Sequence, residues 1–114
     1  MTAVFKILSL DDWADARRAG VVAPAPIDVK DGCIHLSAED QVLETARLHF
    51  AGRDDLVAVE FAAEDFGDAL KWEASRGGAL FPHLYAPLPA SKAIRARRLS
   101  RRISGRYELG EVVS

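Results

Sequence analysis

The apolar residues of this chain come in short runs, each closed by glycine, proline or an Asp-Gly pair, and that segmentation limits the folds open to it. Leu56-Val57-Ala58-Val59-Glu60-Phe61, entered from the polar turn Arg53-Asp54-Asp55, is the strongest strand signal. No run approaches the roughly 20 apolar residues that a membrane helix needs. With 114 residues, 49% of them hydrophobic and 28% charged, the chain has the profile of an ordinary globule, and one domain over 1–114 is expected. Met1 to Leu8 has no basic lead and no long apolar core, so no signal peptide is expected. A lone cysteine, Cys33, excludes an internal disulfide and gives no reason to expect secretion, so a cytoplasmic protein with no membrane partner is expected.

Along the chain, Ala3 to Leu8 reads as a strand, and Ser9 then offers an N-cap with Asp11 and Asp12 in the first turn of a helix. That helix carries Trp13, Ala16 and Ala19 and stops near Gly20. Val21 to Lys30, holding Pro24 and Pro26, reads as a loop or extended crossing. Asp31-Gly32 marks a tight turn before a short strand, Cys33 to Leu36. Ser37 with Asp40 resembles a capping box for a helix whose face carries Val42, Leu43, Ala46 and Phe50 and which Gly52 ends. Leu70 to Glu73 is a further strand, followed by the turn-rich stretch to Gly78 and then a proline-bracketed segment. Ile94 to Leu99 and Arg106 to Val113 read as closing strands. The expected fold class is α+β: a curved, mostly antiparallel sheet or split pair of sheets, with two helices in the N-terminal half.

Two histidines sit inside apolar, turn-bounded segments, Cys33-Ile34-His35-Leu36-Ser37 and Phe81-Pro82-His83-Leu84-Tyr85. Histidine is the side chain most readily recruited near neutral pH. In a strand, residues i and i+2 share a face, so His35 with Ser37, and His83 with Tyr85, could each address one ligand. If Ser37 instead caps a helix, that helix's N-terminus would open beside His35 and suit an anion. The plainer alternatives are a core histidine bonded to backbone and a packed β-edge. Trp72 could stack on a base or ring, and Glu73 could steady a developing positive charge. His49 falls in the last turn of a helix, where a cation is mildly favoured, and needs no function. Metal chemistry is not expected, because there is no second cysteine and only three histidines in all. Glycine-rich phosphate loops and G-x-S-x-G are absent from the sequence.

Charge is unevenly spread. Residues 1–91 hold 8 Lys/Arg against 15 Asp/Glu, a balance of −7, while residues 92–114 hold 7 against 2, a balance of +5. The arginines from Arg95 to Arg106 read first as charges guarding an edge strand, with phosphate contact to a nucleic acid as the minority alternative.

The pattern of Trp13 after an opening strand, Gly32-x-Ile34-His35-x-Ser37 with Gln41, Gly52-Arg53-Asp54-Asp55-Leu56-Val57, Trp72-Glu73 and Gly78-x-Leu80-Phe81-Pro82-His83-Leu84-Tyr85-x-Pro87-Leu88 resembles a family of small bacterial and plant proteins known as a domain of unknown function. That family is placed in the ADP-ribosyltransferase-like fold superfamily. The resemblance implies two sheets with a cleft for NAD or an ADP-ribose-like group, in which His35-Leu36-Ser37 is similar to the motif that holds a ribose hydroxyl. It makes His83 the candidate second histidine. Leu36 and Ala86 stand where glycines are expected, and Glu108 and Glu111 do not form the glutamate motif of transferases. Binding is therefore implied more strongly than transfer. On this reading His35, Ser37, Trp72 and Tyr85 bind the ligand and His83 and Glu73 act at the reacting carbon, with NAD as the cofactor and no metal. The alternatives are a non-catalytic module that binds a nucleotide-like small molecule, and an RNA-contacting protein using the arginine strip.

Overall fold

A computed structural model describes residues 1–75 and 77–113; Arg76, inside the turn-rich stretch after Glu73, lies outside the described residues. The architecture is α+β with antiparallel sheets. Chain order runs β1 (Ala3–Ser9), α1 (Leu10–Ala19), α2 (Pro26–Asp31), β2 (Ile34–His35), β3 (Ser37–Ala38), α3 (Val42–His49), β4 (Leu56–Ala62), β5 (Leu70–Ser75), β6 (Ala79–Leu84), β7 (Arg95–Arg101) and β8 (Tyr107–Val113). Five strands form one sheet in the order β3-β1-β4-β7-β8, and three form a second in the order β2-β6-β5.

The apolar runs at β1 and β4 are explained by cover on both faces of the larger sheet. Val4 and Leu8 of β1 with Val57, Val59 and Phe61 of β4 point toward the smaller sheet and pack with Trp13, Ile34, Leu84 and Leu88. The alternate residues Phe5, Ile7, Leu56 and Ala58 pack with Val42, Ala46, Leu99 and Tyr107 on the side of α3. Strand alternation sends neighbouring residues to opposite faces, so a strand buried on both must be apolar at nearly every position.

Three local expectations change. Val21 to Lys30 is not all loop: Pro26 opens α2 as its first residue, where proline's missing N–H is no loss, and Gly32 closes it in a left-handed conformation with φ +74°. Ser37 does not cap a helix; it lies in β3, opposite Phe5, and α3 starts only at Val42 behind Gln41. The arginine-bearing strand β7 is not an edge, because β8 lies outside it. Ser9 caps α1 as expected, accepting from the Asp12 N–H at 3.0 Å. No helix among the described residues is long and apolar enough to cross a membrane.

Candidate functional site

Between His35 and Ser37 the chain changes sheets. His35 pairs with His83 in the smaller sheet, the Leu36 N–H bonds the Pro82 carbonyl at 3.0 Å, and Ser37 pairs with Phe5 in the larger one. Beside this crossing lies a cleft of about 830 Å³, walled by β1, α1, α3 and residues 21–27 together with Asp31, His35, Ser37, Phe81 and His83; Lys6 is among the β1 residues that line it. Its volume falls within the range of small-molecule sites.

Direct cross-strand pairing brings the two imidazoles together, with ring centroids 5.0 Å apart and planes inclined by 70°. Each ring is oriented through Nδ1 by a carboxylate. His35 Nδ1 lies 2.7 Å from Asp28 Oδ1, and His83 Nδ1 lies 2.8 Å from Glu73 Oε1. The Tyr85 hydroxyl donates to the same Glu73 oxygen at 2.7 Å. These bonds hold the Glu73 carboxyl below its ordinary value, the Tyr85 bond first and the His83 bond second, and the bond to Glu73 raises the Tyr85 phenol. His83 Nε2 has no hydrogen-bond partner among the described residues, so it is the ring atom left for a ligand or a proton.

Asp28 is the hub of the His35 side. Its carboxylate is all but inaccessible and accepts from Lys6 Nζ at 2.8 Å, from the Ala25 N–H at 2.9 Å and from the His35 N–H at 3.0 Å, besides the His35 ring. Burial pushes its pKa up, but the Lys6 and His35 hydrogen bonds and the Lys6 charge outweigh burial, and the net shift is downward. Lys6 also donates to the His35 carbonyl at 3.1 Å. Sequence reasoning missed this group because Asp28 lay in a presumed loop. The signal was Lys6 itself, a charge in the middle of an apolar strand, which burial tolerates only with a paired counter-ion.

Of the residues expected at the site, His35, His83, Glu73 and Tyr85 form one connected group. Ser37 lines the same cleft, but its hydroxyl donates to Thr45 Oγ1 at 3.1 Å. Trp72 is not brought to the imidazoles. It pairs with Pro82, and alternation puts it on the sheet face that carries Leu70 and Leu84, whereas Glu73 and His83 lie on the other. Cys33 is buried, and burial pushes its thiol up, away from the reactive thiolate.

The arginine strip is largely engaged within the fold. Arg101 makes a two-pronged pair with Asp54 at 2.9 and 3.0 Å, Arg98 donates to the Asp54 carbonyl, Arg97 to the Gly110 carbonyl, and Arg102 pairs with Glu108. Arg95 lies 3.4 Å from Glu60. These acceptors take donors that phosphate contacts would need.

Residues 7–96 match the family described as Protein of unknown function (DUF952), and the chain belongs to that family. In structure it is similar to protein CC0527 from Caulobacter crescentus. The crystal structure of that protein superimposes with a TM-score of 0.88 at 45% identity over 94% of each chain. Its solution NMR structure gives 0.83 at 46% identity over 93% of this chain and 91% of that one. No match was found among curated proteins.

Proposed function

We propose that the cleft binds a nucleotide-like small molecule of the NAD or ADP-ribose class, with His83 as the proton-transfer group. The observation that carries this reading is the facing pair of imidazoles, each held through Nδ1 by a carboxylate at the wall of a ligand-sized cleft. Two antiparallel sheets joined at a histidine-bearing crossing also suit an ADP-ribosyltransferase-like fold. His35 and Ser37 anchor the ligand, and Glu73 with Tyr85 keeps the His83 ring in one orientation. In ADP-ribosyl transfer, His83 Nε2 accepts the proton of an acceptor hydroxyl as its oxygen bonds the ribosyl carbon, while nicotinamide leaves with the electron pair of the broken C–N bond. Glu73 then stabilises the imidazolium so formed.

Titration calorimetry with NAD and with ADP-ribose tests the binding. His35→Ala, with the fold checked by circular dichroism, is expected to weaken binding tenfold or more, the worth of about 1.5–3 kcal/mol for a hydrogen bond to a charged group. Absence of binding by the unaltered protein at millimolar ligand would sink the reading. A second reading, a binding module without turnover, is favoured by the prior engagement of both His35 nitrogens, Nδ1 with Asp28 and Nε2 with Asp31. Nicotinamide released from NAD and followed by mass spectrometry separates the two, since release lost in His83→Ala with NAD still bound rules out the second.

A further inference from the structure

The two carboxylates on His35 differ in kind. Asp28 is 1% exposed at its side chain and is tied by three other donors, so it holds the ring in place from within. Asp31 is 43% exposed, lines the cleft, and sets its Oδ2 3.0 Å from His35 Nε2. Removing Asp31 therefore leaves the ring's orientation with Asp28 and leaves Nε2 aimed at the ligand's space. The surrounding charges sharpen the point. Lys6 neutralises Asp28, Glu73 is bound to His83 and Tyr85, and the nearby Lys71 is exposed opposite His83. Among the described residues no lysine or arginine pairs with Asp31 to offset its charge for an incoming anion.

We propose that Asp31 is a specificity-determining residue that admits a hydroxyl group at His35 and rejects an anionic oxygen there. A hydroxyl has a proton to donate to the Asp31 carboxylate, so it can take a place beside His35 without leaving that charge unpaired. A phosphate or carboxylate oxygen has no proton to give Asp31 and must displace it against like charge. The inference rests on the reading of the cleft as a ligand site, but it is tested without any nucleotide. Asp31 sits at the end of a short helix and half in solvent, so its substitution leaves the core untouched.

The probe is inorganic phosphate, titrated into protein whose histidine rings are ¹⁵N-labelled, with the His35 ring signals read by NMR. Asp31→Ala, which removes both the occupant and its charge, is expected to bind phosphate at His35 at least tenfold more tightly than the unaltered protein. Asp31→Asn, which keeps an acceptor but loses the charge, is expected to fall between them. Equal phosphate affinity in all three proteins, or no response of His35 in any, overturns the proposal. Failure of NAD to bind in calorimetry would overturn the nucleotide reading and leave the phosphate comparison standing.

Discussion

Asp28 carries more of the site's geometry than either histidine. Its four bonds join β1, the start of α2 and the strand that holds His35. Replacing it by alanine leaves the Lys6 ammonium buried without its partner, which is expected to destabilise the fold by about 3–5 kcal/mol in urea unfolding. Lys6→Met is expected to cost less, because Asp28 keeps its other three donors. The pH dependence has a definite sign. Since the folded carboxyl titrates below the ordinary 3.8, its contribution is present above that pH and fades as pH falls through the lower folded value. Stability measured from pH 7 down to the acid limit should fall less steeply at the acid end in Asp28→Asn than in the unaltered protein. An equally steep fall would remove Asp28 from the explanation of acid lability.

At the scale of elements, capping chemistry was readable where it used side chains in their commonest roles. Ser9 was legible as the α1 cap, and Ser9→Ala should lower stability by about 1 kcal/mol with an unchanged denaturant slope. A loss below a few tenths would mean that solvent serves the Asp12 amide as well. Proline was less legible, because it both breaks helices and opens them. Pro26 does the second, and only the Asp28 acceptor at the third position and Gly32 at the end distinguish the cases. Ser37 shows the reverse confusion. Its spacing to Asp40 suggested a cap, yet pairing with Phe5 captured it as a strand residue.

The whole molecule depends on the layer between the two sheets. Phe61 is fully buried there and meets Phe66 edge to face, with centroids 6.1 Å apart. Phe61→Ala should cost about 3–5 kcal/mol, since rigid neighbours on both sheets cannot close the cavity. Ile103→Ala, at a fully exposed loop position, should change stability by no more than about 0.5 kcal/mol in the same measurement. Similar losses at the two positions would show that the sheets are not held by this layer.

The sequence by itself determined the α+β class, the strand at Leu56–Phe61, the cap at Ser9 and the interest of His35 and His83, because these follow from local periodicity and from the chemistry of single side chains. Tertiary structure alone decided that the two imidazoles face one another, that Lys6 and Asp28 stand behind one of them, that Asp31 caps it and that Trp72 turns away. Those relations depend on strand register and on the crossing at Leu36, where one step along the chain changes the sheet and one step of register changes the face.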